Sequence, residues 1–449
     1  MGSFKVSQTP NQTRPENGIL YVGPRQQYQS IQAAHEAAIP GDTIMIDADG
    51  VYLGLDAVMS FKKAGLTIKG FNGRPKMELP YEAPGEVWNA PDSVHSHTRA
   101  MLETNGGAIW RIQAPGIVVD NFEIAGAVNN NGNGAAIAAV DFIGTVTYRN
   151  LYIHHAEIPL QVFRHWAIDV VMEHVEVHNG GMRGDVRGSF HGHNIYIEAR
   201  SLEFKHSYTH SKKATDHGIC GHLLKTRTEN AIIKYNRFAD DTIEATHGSS
   251  RLLEFAESGN SYIIGNVFYS KPGSGANAID IGAENVSAFN GARNRGRKIY
   301  IVNNTFISDN PDSISIRIFG PAPADTNHAE DLQLFIVNNI FPGTLEDIDI
   351  RFPEGRISKV VIENNFFTGA PDETPDVFVD RTRGDANIAD TAAAREFIIN
   401  QGVDANELAL KHGFAPTIDL TPQYMYAGPG VVKPRAKTGG AIDIGAYEF

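Results

Sequence analysis

A nine-fold repeat is the feature of this 449-residue sequence that most restricts how it can fold. Each copy has alternating apolar residues, then Asn or His, then apolar residues again, as in IIKYNRF, YIIGNVF and IYIVNNTF. The repeated polar position is occupied by Asn121, Asn150, His174, His206, Asn236, Asn266, Asn304, Asn339 and Asn365. Successive positions are 24 to 38 residues apart, which is typical of a stacked array of short structural units.

The residue type at this position indicates coils made of parallel strands. Alternation with period two predicts strands, and a turn Asn adopts the left-handed conformation more readily than most residues. Stacked turns would let each Asn amide hydrogen-bond to the Asn of the next coil. We therefore predict an Asn ladder along a solenoid, because chance placement of Asn in a β-rich chain does not explain nine occurrences.

Composition excludes several classes of protein. Apolar residues make up 42% and charged residues 20% of the chain, so neither a disordered chain nor a membrane protein is indicated. The net charge of -13 argues against nucleic acid or an anionic membrane as the main partner. A polyanionic substrate stays possible, because a local cluster of cations can override a negative average. The single cysteine, Cys220, excludes an intrachain disulfide and a cysteine metal site.

Two helical patterns flank the repeats. YQSIQAAHEAAIPGD predicts a helix from Tyr28 to Asp42 with Ser30 as its N-cap, and a second pattern covers residues 390–412. A helix followed by strands suits the blunt end of a solenoid, where an apolar core would otherwise meet water. The predicted organisation is an N-terminal arm (1–20), an N-terminal cap with the first coils (21–110), a β-helix core (111–380) and a C-terminal tail whose helix packs on the solenoid (381–449).

Three stretches resemble one known group of proteins. SIQAAHEAAIPGDTIMI, the NNTF and NNIF repeats and the terminal AIDIGAYEF are similar to right-handed parallel β-helix proteins of the pectate-lyase-like superfamily, over roughly residues 20 to 449. The resemblance implies an all-β, single-stranded right-handed parallel β-helix with an N-terminal helical cap. Lyases, hydrolases, epimerases and binding proteins share this scaffold. A secreted or periplasmic location is expected, although the opening MGSFKVSQTP lacks the features of a signal peptide.

The repeat alignment predicts a column of functional side chains. In a β-helix, alternate residues of each strand point outward and stack between coils at roughly 4.8 Å. Aligning the inward apolar residues of successive strands places Tyr196, Lys225, Glu254 and Asp280 in one column, with Arg227 beside Lys225. Histidines concentrate in the same region, since seven of the 17 fall between residues 191 and 247.

Three groups of candidate residues follow from this column and its surroundings. The predicted catalytic residues are Lys225, Arg227, Tyr196, His193, His222 and Glu254. The predicted substrate-binding residues are Arg251, His217, His247, Arg183, Arg187, Arg164 and Arg317. The predicted metal ligands are Glu254, Asp280 and Glu284. The alternative without function is that Glu254 and Asp280 only neutralise Lys225 and Arg227 in a surface ion-pair ladder, and that His206 is a turn residue.

The residue types fit cleavage of an acidic polysaccharide by β-elimination. That reaction needs neutralisation of the uronate carboxylate, removal of the C5 proton and protonation of the leaving oxygen. Neighbouring cations lower the pKa of Lys or Arg enough for either to act as the base, and Tyr or His can supply the proton. Arg227 or Arg251 can pair with the carboxylate in a fork. The resemblance implies a Lys or Arg base, often with Ca²⁺ on nearby carboxylates.

Two other functions fit the same residues. Glu254 and Asp280 on adjacent coils fit the acid and base of a glycoside hydrolase. The hydrolases of this scaffold carry NTD, DD, GHG and RIK motifs in order, and here only the DD pair Asp240-Asp241 is found. A non-catalytic glycan-binding β-helix is the third possibility, but its tryptophans would be expected in one column. The expected partner is an acidic polysaccharide or oligosaccharide, and no oligomeric state is predicted.

Overall fold

The computed structural model describes most of the chain. The described residues are 14–79, 101–129, 132–181, 192–211, 220–241, 249–271, 277–282, 297–308, 313–319, 332–351, 357–369, 377–429 and 431–449. No helix among them is long and apolar enough to cross a membrane.

Short strands make up most of this structure. In chain order they are β1 (Ile19–Val22), β2 (Thr43–Asp47), β3 (Tyr52–Leu53), β4 (Met59–Phe61), β5 (Thr67–Phe71), β6 (Lys76–Glu78), β7 (Ala108–Ile112), β8 (Ile117–Ala127), β9 (Ala135–Ala139), β10 (Gly144–Ala156), β11 (Ile158–Glu173), β12 (Glu176–Gly180), β13 (Ile195–Lys205), β14 (Tyr208–His210), β15 (Cys220–Lys234), β16 (Arg237–Asp240), β17 (Ser249–Ile264), β18 (Val267–Ser270), β19 (Asn277–Ile281), β20 (Lys298–Val302), β21 (Thr305–Ser308), β22 (Ile316–Phe319), β23 (Leu332–Val337), β24 (Ile340–Phe341), β25 (Ile348–Arg351), β26 (Ile357–Glu363), β27 (Phe366–Phe367), β28 (Phe378–Asp380), β29 (Asp385–Ile388), β30 (Tyr424–Gly428) and β31 (Val431–Pro434). The helices are α1 (Ile31–Ala37), α2 (Ala392–Phe397) and α3 (Ala405–Lys411), and short 3-10 helices span Gly54–Ala57, Leu345–Asp347 and Arg381–Arg383.

Strands β1 to β27 form three parallel ladders that run the length of a solenoid. Sheet 1 contains β4, β7, β9, β19, β22 and β25, with the first halves of β11, β13, β15 and β17 between β9 and β19. Sheet 2 contains β1, β2, β5, β20, β23 and β26, with β8, β10 and the second halves of those four long strands between β5 and β20. Sheet 3 contains β3, β6, β12, β14, β16, β18, β21, β24 and β27, with the ends of β8 and β10 between β6 and β12. The predicted parallel β-helix is confirmed.

The inward residues of the coils form one continuous apolar core. Alternation puts Ile195, Leu224, Leu253 and Ile279 of sheet 1 at fully buried positions, each stacked on the next. In sheet 3 the inward position is aromatic, and the rings of Phe238, Phe268, Phe306 and Phe341 stack at 4.8–5.0 Å between neighbours. Stacking like residues in every coil buries each apolar side chain against its copy above and below, which a single coil cannot do.

The Asn ladder exists, but the sequence prediction merged two adjacent columns. Asn236, Asn266, Asn304, Asn339 and Asn365 form the ladder, in which each Nδ2 donates to the next Oδ1 at 2.9–3.0 Å. Left-handed backbone is found one residue earlier, at Tyr235, Gly265, Asn303, Asn338 and Asn364. The earlier members Asn121, Asn150, His174 and His206 are themselves left-handed and therefore align with this second column. The prediction was wrong in treating one Asn as both turn and ladder residue.

The first helix caps the N-terminal end and is shorter than predicted. Ser30 Oγ accepts from Ala33 N as the N-cap, but the helix spans Ile31–Ala37 instead of Tyr28 to Asp42. Tyr28 precedes the helix and bridges to Val22. The predicted arm also extended too far, because β1 already begins at Ile19.

The C-terminal segment covers two of the three sheets. Helix α3 packs Ala405 and Ala409 against Tyr262 and Tyr300 on the outside of sheet 2. The β28–β29 hairpin, α2 and the last residues pack on the outside of sheet 3. The pattern at residues 390–412 is thus two short helices separated by a turn, not one. Neither of these two clusters includes the outward face of sheet 1, within the described part of the chain.

Candidate active site

The outward face of sheet 1 carries a column of charged residues in register. Tyr196 pairs with Lys225, Lys225 with Glu254, and Glu254 with Asp280. The column continues to Arg317 on the next strand. Parallel pairing places each side chain about 4.8 Å from the next along the solenoid. The structure therefore brings together the four residues that the repeat alignment put in one column.

The column is buried, not a surface ladder as the non-functional alternative supposed. The exposed fraction is 7% for Lys225, 2% for Glu254 and 0% for Asp280. A buried charge without a partner is strongly unfavourable, so each of these groups needs a compensating contact. The pattern of those contacts determines the protonation states available for chemistry.

Lys225 is a cation that its surroundings make easier to deprotonate. Burial lowers the pKa of the ammonium, and the charges of Arg227 and Arg251 lower it further, against the opposing effect of Glu254. Its Nζ lies 3.7 Å from Glu254 Oε2. A lysine whose pKa is lowered in this way is more easily deprotonated, which general-base catalysis requires.

Glu254 is held in its ionised form. Burial alone would raise the pKa of its carboxyl, but contact with His222 Nε2 and the charges of Lys225 and Arg251 lower it to about 2. His222 is the neutral partner, because burial lowers its pKa to about 4. Ser250 Oγ lies 2.8 Å from His222 Nδ1. The Ser250 hydroxyl also donates to the Gly221 carbonyl at 3.1 Å, so its contacts with Gly221 and His222 hold the imidazole ring in place.

His193 supports this arrangement from the preceding coil. Its Nδ1 accepts from the backbone N of His222 at 2.9 Å, and the two rings stack with centroids 4.8 Å apart. The ring of Tyr196 lies 5.3 Å from that of His193. These contacts link four of the predicted catalytic residues, Tyr196, His193, His222 and Glu254.

Arg227 belongs to a second buried group that includes a residue the sequence prediction missed. Arg227 Nη1 donates to Glu198 Oε1 at 2.6 Å and also to the Tyr196 hydroxyl. That hydroxyl in turn donates to Glu198 Oε1. Burial raises the pKa of the Tyr196 phenol, so it holds its proton and acts as a donor. Glu198 is fully buried and in register with Arg227, a pairing that strand alternation alone could have indicated.

Asp280 pairs with Arg251, whose Nε lies 2.6 Å from Oδ2. Burial raises the pKa of Asp280 despite this contact. The idea that Glu254 and Asp280 neutralise Lys225 and Arg227 is therefore wrong in its second half. Asp280 serves Arg251, and Arg227 is served by Glu198.

A register shift distorts sheet 1 next to these residues. Lys225 pairs with Glu254, but Arg227 pairs with Glu257, so β17 has one extra residue after Phe255. Such β-bulges re-aim side chains and are over-represented beside active sites. Here the bulge interrupts the neighbouring column of Glu198 and Arg227 at β17 and leaves the pairing of Lys225 with Glu254 regular.

Comparison with known proteins agrees with this architecture. No protein-family model and no curated protein matches the chain. A crystal structure of pectate lyase Pel9A matches it with a TM-score of 0.52 and 13% sequence identity, over 96% of this chain and 96% of that chain. The two chains share the parallel β-helix fold.

Two other solved structures are less similar. A GH136 lacto-N-biosidase from Eubacterium ramulus matches with a TM-score of 0.39 and 12% identity, covering 78% of this chain and 67% of that chain. A pectin methylesterase from Aspergillus niger matches with a TM-score of 0.31 and 9% identity, covering 78% of this chain and 92% of that chain. At these identities the likeness concerns the fold alone.

The predicted calcium site lies only partly within the described residues. No group of three or more His, Cys, Asp or Glu able to hold a metal is found among them. Of the predicted ligands, Glu254 contacts His222 and Lys225, and Asp280 contacts Arg251. Calcium takes six to eight oxygen ligands, and the third predicted ligand, Glu284, lies outside the described residues.

Several predicted substrate-binding residues lie elsewhere. Arg317 continues the column beyond Asp280, and its Nε is 3.4 Å from Asp349 Oδ2. Arg164 is in β11, but its side chain is not among those that the structure describes. The remaining predictions fall outside the described residues: Arg183, Arg187, His217 and His247.

A stack of histidines on sheet 3 was not predicted. His154, His178 and His210 occupy one register position on successive coils, and their rings stack at 5.2 and 4.8 Å. Burial lowers the pKa of His178 to about 3, assisted by its neighbours His210 and His154. Their separations of 24 and 32 residues match the coil length and were a usable signal.

Proposed function

We propose that the protein is a carbohydrate-active enzyme, a polysaccharide lyase that cleaves an acidic polysaccharide by β-elimination. The observation that carries the proposal is Lys225, a buried lysine with a lowered pKa in one column with Tyr196 and Glu254. A lysine that burial and two neighbouring arginines make less basic has the property required of a base toward the C5 proton. The β-helix fold is compatible with the proposal, because such enzymes use it, but the fold does not identify the reaction.

In the proposed reaction, Lys225 and Tyr196 carry the two proton transfers. Neutral Lys225 Nζ takes the C5 proton, the C5–H electron pair becomes the C4=C5 double bond, and the C4–O bond breaks. Tyr196, whose phenol holds its proton, gives that proton to the leaving oxygen. One proton is accepted and one is donated, so water is not consumed and the product is an unsaturated uronate.

The cations near the column would stabilise negative charge that develops on the uronate. Arg227 and Arg251 already contact Glu198 and Asp280, so a substrate carboxylate would join existing ion pairs. Fixed, buried guanidinium groups need little reorganisation to stabilise the developing enolate. Ionised Glu254 and neutral His222 would keep Lys225 oriented. No step is assigned to calcium.

The test is the product formed from uronate polymers. Elimination produces a double bond that absorbs at about 235 nm, whereas hydrolysis produces reducing ends without it. We expect the wild-type protein to raise this absorbance and Lys225→Ala to lower the rate about 100- to 10,000-fold, the range for loss of a general base. Reducing ends without absorbance would overturn the lyase proposal.

The chain offers a matched control on the same strand. Lys234 also has a pKa lowered by burial, but it lies on sheet 2 and donates to the Asp419 carbonyl. Lys234→Ala should keep activity close to wild type. Equal loss in both variants would indicate that removing a lysine from β15 damages the fold, and circular dichroism of each variant checks this directly.

One observation favours a glycoside hydrolase as the second candidate. Glu254 and Asp280 are on adjacent strands, and their surroundings move their pKa values in opposite directions, to about 2 for Glu254 and upward for Asp280. A pair of carboxyl groups separated in this way can serve as base or nucleophile and as acid. Under this alternative, Asp280→Asn abolishes the release of reducing ends.

A further inference from the structure

A cavity of about 640 Å³ lies on a different part of the solenoid from the charged column. Its floor is sheet 3 at Tyr208 and Arg237, and its walls are the C-terminal segment around Gly384, the β30–β31 hairpin and Tyr447. The volume is within the roughly 300–1,000 Å³ range of small-molecule sites. The column of Lys225 belongs to sheet 1, so the cavity is a separate place on the molecule.

Three tyrosines give the cavity flat apolar surfaces with polar tips. Tyr426 and Tyr447 are buried, and the ring of Tyr208 lies 6.0 Å from that of Tyr426. Aromatic rings of this kind pack against the apolar faces of sugar rings, and their hydroxyl groups can hydrogen-bond to sugar hydroxyls. The lining thus suits a saccharide better than a purely apolar ligand.

The two acidic residues of the lining accept hydrogen bonds from groups within the protein. Asp385 Oδ1 accepts from the backbone N of Asn387 at 3.0 Å and from its side chain at 2.6 Å. Glu448 Oε1 accepts from Arg435 Nε at 2.8 Å, in a pair whose two side chains are almost fully buried. Arg435 offsets the charge of Glu448, whereas Asp385 accepts only from neutral donors and keeps its negative charge beside the cavity.

The basic residues of the lining retain donor capacity. Arg237 Nη1 donates to the Gly384 carbonyl at 2.8 Å, which orients the side chain and uses one of five N–H donors. Arg383 is largely exposed, and its Nε lies 3.4 Å from Asp380. Lys433 is exposed and has no ion pair within the described part of the chain. The cavity therefore offers three cations to an incoming anion.

We propose that this cavity is a second binding site for an acidic oligosaccharide, distinct from the charged column. The tyrosines would hold the sugar rings, and Arg237, Arg383 and Lys433 would bind the carboxylates. That the ligand is a uronate rests on the proposed function, but the existence of the site rests on the cavity and its lining. A site of this kind would hold a distal part of the polymer or a released product.

The test is binding of defined trisaccharides to the Lys225→Ala protein, because this substitution removes turnover. Trigalacturonate and trimannuronate are titrated by calorimetry at low salt, with maltotriose as the neutral comparator. We expect one of the two acidic trisaccharides to bind. The double variant Arg383→Ala/Lys433→Ala, made in the same background, should raise its dissociation constant at least about 10-fold. Both positions are exposed, so the substitutions leave the core unchanged.

A matched control removes the same charge elsewhere. Arg25→Ala/Lys437→Ala deletes one exposed arginine and one exposed lysine that do not line the cavity, and binding should not change. Absence of binding by both acidic trisaccharides, equal binding of maltotriose, or unchanged affinity in the cavity variant would each overturn the proposal. If the wild-type protein releases no unsaturated product while the cavity variant loses binding, the lyase proposal fails and the second site stands.

Discussion

Removing the charge of Glu254 without changing its shape tests the role of Lys225 most sharply. Glu254→Gln keeps an acceptor for His222 but deletes the carboxylate 3.7 Å from Lys225 Nζ. At an effective dielectric constant of about 20, two unit charges at that separation interact by about 4 kcal/mol, equivalent to about three pKa units. Because Glu254 also contacts His222, the expected effect is smaller, and we expect the pKa of Lys225 to fall by at least about one unit.

The sign of the effect follows from the charge removed. Glu254 stabilises the ammonium form of Lys225, so its loss lowers the lysine pKa. If neutral Lys225 is the base, kcat/KM rises with pH as Lys225 deprotonates, and this rise moves to lower pH in Glu254→Gln. The assay is the pH profile of the initial rate of absorbance increase on a uronate polymer.

A control at the far end of the same column separates this effect from a general change of charge. Asp349→Asn removes a carboxylate that is three strands beyond Glu254, at roughly 19 Å from Lys225 at the spacing of parallel strands. That distance exceeds the screening length of about 8 Å at physiological salt, so its profile should match wild type. A Glu254→Gln profile that stays in place, or moves to higher pH, would refute Lys225 as the base. Loss of all activity at every pH would instead assign the carboxylate itself to catalysis.

Further predictions concern the fold, the histidines and the metal. Asn266→Ala removes a ladder residue that donates to Ile233 O and Asn304 Oδ1 and accepts from the backbone N of Asn236, and it should lower the free energy of unfolding by about 3 kcal/mol in urea titrations. Asn17→Ala, at an exposed position, should change it by less than about 0.5 kcal/mol. His178 has a folded-state pKa of about 3, below its ordinary value of 6.5, so it contributes stability that is present above pH 6.5 and is lost as pH falls toward 3. In that window the His178→Gln variant should lose less stability than wild type, by at most about 5 kcal/mol, and equal losses would contradict this interpretation. If calcium takes part, EDTA should abolish activity and added Ca²⁺ should restore it, whereas full activity in EDTA would show that the reaction does not require the metal.

The solenoid and the column were predictable because both depend on period and spacing. Alternation with period two fixes which residues of HLLKTRT point outward, and a repeat of one coil stacks Lys225 on Glu254. The two Asn columns could not be separated in this way, since Asn is favoured both in left-handed turns and in the ladder. Only the backbone conformation distinguishes Asn303, which is left-handed, from Asn304, which forms the ladder.

The burial of the column residues was not predictable from the repeat. Strand alternation says that Lys225 points away from the core, but contacts beyond its own strand decide that only 7% of it is exposed. Arg227 differs, because its partner Glu198 is in register one coil earlier and the alternation indicates this pairing, although Glu198 was not predicted as a site residue. Ser250, which contacts His222, was missed because a single Ser at the start of a strand carries no sequence signal.

The most direct test of the central claim is a crystal structure of the Lys225→Ala protein with an acidic oligosaccharide bound. The account predicts a sugar chain across the outward face of sheet 1, with a C5 atom at roughly 3–3.5 Å from the place that Lys225 Nζ occupies in the wild-type protein. Tyr196 should then face the glycosidic oxygen on the adjacent coil. An oligosaccharide bound productively elsewhere, with none over Lys225, Glu254 and Asp280, would contradict the assignment of this column as the active site.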